Sequence, residues 1–234
     1  MNLWTTATTT DAARSAASVA VLPVGSFEQH GPHLPLATDT VVASAIAAAV
    51  ADRYHLLLLP PITISCSHEH AAWPGTVSIS ARTLDAIIAD VRESLRRSGM
   101  GRLVIVNGHG GNYVLSNIVQ QANVAGPQLA LFPNRAAWEV ACRDAGIVGT
   151  LHDDMHAGEI ETSILLEVAP KMVRDGYELG DHVAEHPHLL TLGMRAYTES
   201  GVIGRPSLAS TDKGRLLLAS LTASFQETLG LLSM

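Results

Sequence analysis

The sequence predicts an α/β fold: one domain over residues 1–234, with a mainly parallel sheet flanked by helices. Three observations carry this. Short apolar runs without polar alternation recur along the chain, as expected of strands buried on both faces. Helical patterns lie between them, the alternation that builds parallel sheets. The composition, 47% hydrophobic and 16% charged over 234 residues, supports a sizeable core.

The first run, Ser18 to Val24, stops at Gly25, and a helical pattern follows from about Thr40 to Tyr54. Leu56 to Leu59 reads as a second strand and stops at Pro60. Ala81 to Arg97 is helical, with Ser80 placed as N-cap and Gly99 just past the end. Leu103 to Val106 is a third strand, a third helix follows Asn112, and Leu129 to Phe132 is a fourth strand. Gly158 to Val168 can form a helix ended by Pro170, and Lys213 to Leu232 reads as a C-terminal amphipathic helix. Asp181 to Pro206 mixes His, Gly and Pro and reads as long loops with a short helix.

The net charge of -7 and the lack of any Lys/Arg run argue against nucleic acid and membrane surfaces as partners. Two cysteines, Cys66 and Cys142, are too few for a disulfide framework and point to a reducing compartment. Met1 to Ala20 lacks a basic segment followed by a solid apolar core, so no signal peptide is expected and the expected location is the cytoplasm.

In parallel sheets the ligand site lies beyond the carboxyl ends of the strands. The loops there, Gly25 to Thr38 and Asn107 to Asn112, are dense in polar residues. Of 11 histidines, seven fall in four short segments beside carboxylates and Gly/Pro turns: His30 and His33, His68 and His70, His109, His152 and His156. Imidazole and carboxylate are the usual ligands of zinc, iron and manganese, so this clustering suggests a metal. In an extended segment Glu28 and His30 project to one side. Asp39 follows turn-forming residues that could fold the loop back, although Glu28 and Asp39 could also be solvated acids, Asp39 capping the next helix. The glycines around His109 permit close backbone approach, which favours ligation over a phosphate loop, for which the pattern is missing.

In the block Asp153 to Ser163, a helix starting near Gly158 would let Glu159 point back toward the ligand end, while Glu161 is expected to face solvent or nearby amides. His156 is a candidate proton shuttle, with support of a carboxylate as the equal alternative. Ser67 to His70 and Trp73 read as the substrate-pocket lining: Trp73 a stacking wall, Glu69 or His70 also able to support the metal ligands. His55, His182, His186 and His188 have no such context and are expected to be structural or exposed. A Cys66–His68 nucleophile pair is conceivable, but a buried thiol explains Cys66 more simply.

The stretch Pro23 to Pro35 (PVGSFEQHGPHLP), then Trp73 to Thr76 (WPGT), Asn107 to Asn112 (NGHGGN) and His156 to Ser163 (HAGEIETS) resembles the creatininase (creatinine amidohydrolase) family, in the same order. The resemblance implies a creatininase-like α/β fold, two divalent ions (zinc, manganese or iron) and frequently a hexameric homo-oligomer. It implies that Glu28 and His109 hold one ion, His30 the second, and Asp39 bridges both. In creatinine hydrolases a glutamate ligand stands two positions after the NGH histidine; here that position is Gly111, and Glu159 is the expected replacement ligand. Met155 likewise stands where those enzymes carry a glutamate. Both departures point away from creatinine itself. The expected reaction is attack of a metal-activated water on a C–N bond of a non-peptide or cyclic amide or formamide, His156 passing a proton to the leaving nitrogen. The family also holds formamidopyrimidine deformylases and mycofactocin precursor peptidases, which are the alternatives. A non-catalytic metal-binding protein is the rival from another class.

Overall fold

The structure is a computed structural model, and it describes residues 5–14 and 17–233. Four strands form one sheet: β1 (Val19–Val24), β2 (Leu57–Leu58), β3 (Arg102–Asn107) and β4 (Leu129–Phe132). Their order is β2-β1-β3-β4 and every pairing is parallel. Among the described residues, eight α-helices accompany them: α1 (Thr9–Arg14), α2 (Thr38–Tyr54), α3 (Ala81–Arg97), α4 (Val114–Ala122), α5 (Arg135–Ala145), α6 (Glu159–Val168), α7 (Leu189–Leu192) and α8 (Thr211–Leu232).

Alternate residues of each central strand face opposite layers, as the two-residue period of a strand requires. Val19, Val21, Val104 and Val106 pack with α2, α5, α6 and α8 in one core. Ala20, Leu22, Leu103 and Ile105 pack with α3 and α4 in the other. Helix α2 touches β1, β3, α6 and α8, and its alanine-rich sequence is buried nearly all round. Small side chains allow that close packing.

Strand β2 is shorter than the run Leu56 to Leu59 suggests. Pro60 and Pro61 follow, and proline has no N–H for the ladder. Pairing resumes past them as an isolated bridge between Val24 and Ile62. Ser80 caps α3 by accepting from the Thr83 amide, and Gly99 takes φ +83° just beyond its end. Helix α5 has no counterpart in the sequence reading, although Asn134 caps it and Gly146 closes it at φ +66°.

The strand order reverses between β1 and β3, the neighbouring strands whose onward connections run to opposite sides of the sheet. A crevice forms at such a switch point. Two glycines stand where these strands end. A Cβ on Gly25 would collide with the Thr40 backbone, and one on Gly108 with the Asp39 carbonyl. Their bareness lets the first turn of α2 reach into the crevice. Among the described residues, no helix is long and apolar enough to cross a membrane.

Candidate metal centre

Four segments deliver carboxylates and imidazoles to this crevice. The loop after β1 brings Glu28 and His30, α2 brings Asp39, the loop after β3 brings His109, and α6 with its approach brings His156 and Glu161. Glu28, His30, Asp39, His109 and His156 are all buried. Among the described residues, three overlapping groups could each hold a metal ion, their ligand atoms lying within 4.8 Å of one another: Glu28–Asp39–His109, His30–Asp39–Glu161 and Glu28–His30–His156. Asp39 is common to the first two.

Hydrogen bonds on the far side of each ring fix which nitrogen faces inward. A backbone carbonyl only accepts, so the ring nitrogen beside it carries the proton. His30 Nδ1 donates to the Glu28 carbonyl at 3.1 Å, His109 Nε2 to the Cys66 carbonyl at 2.9 Å, and His156 Nε2 to the Gln29 carbonyl at 2.7 Å. In the neutral rings the opposite nitrogens then present lone pairs to carboxylates. His30 Nε2 stands 2.9 Å from Asp39 Oδ1, and His109 Nδ1 stands 3.0 Å from Asp39 Oδ2 and 3.2 Å from Glu28 Oε1. Lone pairs converge there on lone pairs, which demands a cation. His70 is wired the other way: its Nδ1 accepts from the Gln29 amide at 2.9 Å.

The electrostatics agree. Among the described residues, three buried side-chain atoms lack a hydrogen-bond partner, and Glu28 Oε1 and Asp39 Oδ2 are two of them. Burial opposes a charge on His30, yet Asp39 and Glu161 hold its pKa well above the usual imidazole value. Burial opposes a charge on His109 too, and Glu28 and Asp39 again prevail. Burial would raise Asp39, but His30 and His109 keep it well below the usual carboxylate range. Burial and neighbouring histidines hold His70 and His156 below their ordinary value, so both rings stay neutral. Without a metal the centre gathers protons on His30 and His109; with one, those nitrogens are free to ligate. The donor set of carboxylate and imidazole suits divalent zinc, manganese or iron.

One expectation needs correction. Glu159 is buried but points away from the crevice: its carboxylate pairs with Lys213 on α8 and accepts from the Val148 amide at 3.0 Å. Glu161 is the α6 acid that reaches the centre, 3.7 Å from His30 Nε2, with its other oxygen accepting from the Ala157 amide at 2.6 Å. Residues two apart on a helix diverge by about 200°, so only one of the pair can face inward. Asp154 sets that phase by accepting from the Glu159 and Ile160 amides at 2.6 and 2.8 Å, capping α6. His156 is pinned from the tail, pairing through its backbone with Ile203.

The remaining expected residues divide. Glu69 and His70 line the small cavity over the centre, of about 120 Å³, together with Tyr113, Met155, His156 and Leu189. Trp73 stands behind His70, ring centroids 6.4 Å apart, and Arg195 covers it with its guanidinium 5.4 Å from the ring. The Glu69 carboxylate occupies the space that a Cβ on Gly111 would need. His186 and His188, expected to be structural or exposed, border an adjoining cleft. Tyr113 and Leu189 carried no signal in the sequence, since exposed apolar residues in loops are common.

Comparison with known proteins follows the same lines. The chain is 39% identical over 215 residues to the mycofactocin precursor peptide peptidase of Mycobacterium ulcerans, covering 86% of this chain and 80% of that protein. It is 28% identical to the creatinine amidohydrolase of Pseudomonas putida, covering 86% and 84%. A solved structure described as creatininase Mn superposes with a TM-score of 0.75 at 26% identity, covering 93% and 91%. The family described as Creatininase: Creatinine amidohydrolase matches residues 4–229. With that match spanning nearly the whole chain and its ligand-bearing loops, this protein belongs to the creatininase family and is a metal-dependent hydrolase of carbon–nitrogen bonds.

Proposed function

We propose that this chain is a peptidase, cleaving a peptide bond in a precursor peptide at a pair of divalent ions. The observation that carries the reading is the shape around the metal cavity. A cleft of about 940 Å³ shares His109, Gly110, Tyr113, Met155 and Leu189 with it, and a second of about 470 Å³ shares Glu69, Gly111, Tyr113 and Leu189. A site flanked on two sides by open clefts suits an extended chain better than a small cyclic amide. The mycobacterial relative is a peptidase as well, and it is more similar to this chain than the creatinine hydrolase is.

In this reading Glu28, Asp39 and His109 would hold one ion, and His30, Asp39 and Glu161 the other. Ions bound there would supply Lewis acidity for activating a water and polarising the scissile carbonyl. His156, anchored through Nε2 and neutral, can take a proton at Nδ1 and deliver it to the leaving nitrogen. Ser26 donates to Glu28 Oε2 at 2.6 Å, and Gln29 orients the His70 ring. Glu69, beside His109 Nε2 at 3.4 Å, lines the path by which substrate enters.

The cavity of about 120 Å³ taken alone would admit only a small amide or formamide, which is the second reading. One experiment separates them. Protein loaded with zinc, manganese or iron is incubated with short end-blocked peptides, with creatinine and with a formamide, while new peptide termini, creatine and formate are measured. Peptide cleavage that disappears in Glu28→Gln is the expected result. Turnover of the small amides with all peptides left intact would favour the second reading, and inertness of metal-replete protein toward everything would remove both.

A further inference from the structure

The two clefts beside the metal cavity differ in chemistry. The wider one sets Asn107, Arg135, His186 and His188 among Trp138 and Leu151, and shares Leu190 with the narrower one. The narrower one, of about 470 Å³, is walled by Cys66, Ala72, Tyr113, Val114, Leu190 and Leu192. Tyr113, Leu190 and Leu192 are 55%, 76% and 57% exposed, a grouping of large apolar side chains that a free surface has reason to cover. Three polar side chains, Glu69, His68 and Arg195, stand at its edges. Glu69 lies on the metal side against His109, and Arg195 at the far end rests on Trp73 and donates to the Glu199 carbonyl at 2.7 Å. Tyr113 and Leu189 border the metal cavity and both clefts, so the narrower cleft adjoins the metal cavity.

We propose that this cleft is the specificity subsite of the enzyme, taking a bulky apolar side chain of the substrate peptide next to the scissile bond. The inference rests on the peptidase reading and deepens it. An apolar side chain seated there covers Leu190 and Leu192 and leaves water, whereas a charged one would lose its hydration among those leucines. The polar remainder of the peptide then runs along the wider cleft, past Asn107, His186 and His188. Discrimination between a large apolar side chain and none at all in such a pocket is on the order of tenfold or more in kcat/KM.

The test uses metal-loaded full-length protein and a pool of short end-blocked peptides randomised over Gly, Asp, Lys, Leu and Phe, with cleavage positions read by mass spectrometry. Cleavage should concentrate beside Phe or Leu, always on the same side of the broken bond. In the double variant Leu190→Glu, Leu192→Glu the Phe-over-Gly ratio of kcat/KM should collapse by about tenfold while metal content stays at the level of the parent. Both leucines are exposed, so the fold tolerates the change; Leu190→Ala with Leu192→Ala is the milder companion and should lower the same ratio. Cleavage without preference at either flanking position, or a preference that survives both double variants, overturns the subsite. Complete absence of peptide cleavage by metal-loaded protein overturns the peptidase reading itself, a result distinct from unselective cleavage.

Discussion

Protonation at single nitrogens decides how the centre is wired. The carbonyls of Glu28, Cys66 and Gln29 take the outer N–H groups of three histidines, and the inner lone pairs are thereby committed to the crevice. Glu161→Gln is expected to lower bound metal and cut hydrolysis by at least about 100-fold. Glu159→Gln should retain metal and instead lower stability by about 3 kcal/mol, because it breaks a buried pair with Lys213. Metal analysis and thermal unfolding distinguish the two, and equal metal loss in both variants would sink the assignment of Glu161. At this scale Glu28, His30, Asp39 and His109 were readable, since acids and imidazoles bunched beside glycine and proline turns seldom serve packing alone. The choice between Glu159 and Glu161 was not, because the phase of α6 depends on the Asp154 cap and on a lysine of a distant helix.

Elements position these residues through close approaches of backbone. Gly108→Ala places a methyl against the Asp39 carbonyl and Ala43, so it should cost about 1–3 kcal/mol and weaken metal binding by displacing Asp39. Gly110→Ala, with no atom within 4 Å of the added carbon, is the control and should leave the melting temperature and metal affinity little changed. A Gly108→Ala protein matching the parent in both measurements would show that α2 has slack at its first turn. Strands β1, β3 and β4 and helices α2, α3, α4, α6 and α8 were legible in outline from apolar runs, caps and breakers. Helix α5 was missed although Asn134 and Gly146 mark its ends, because its buried face is built mainly of Ala137, Ala141, Cys142 and Ala145, too weakly apolar to stand out. The contribution of the tail was invisible for a different reason: the pairing of Ile203 with His156 and the placing of Leu189 over the cavity are long-range contacts.

At the scale of the whole molecule, protons and a metal would compete for the same ring nitrogens. His30 and His109 are held above their ordinary pKa in the metal-free fold, burial opposing and the facing carboxylates prevailing. Groups raised in this way stabilise fully below the unfolded imidazole value of about 6.5, and that contribution is lost as pH climbs through their folded values. The melting temperature of chelator-stripped protein should therefore fall relative to the loaded form as pH rises above about 6.5, and metal binding should release protons, measurable by calorimetry in buffers of different ionisation enthalpy. A gap between the two forms that is independent of pH, with no proton release, would contradict this. One feature of the interior reaches further. The carboxylate of Glu69 sits where a side chain on residue 111 would have to grow. Positions 69 and 111 are thus tied like two tenants of a single room. A glutamate placed at position 111 fails as a lone exchange, and a smaller residue 69 clears only part of the space, because the His109 ring must give way too.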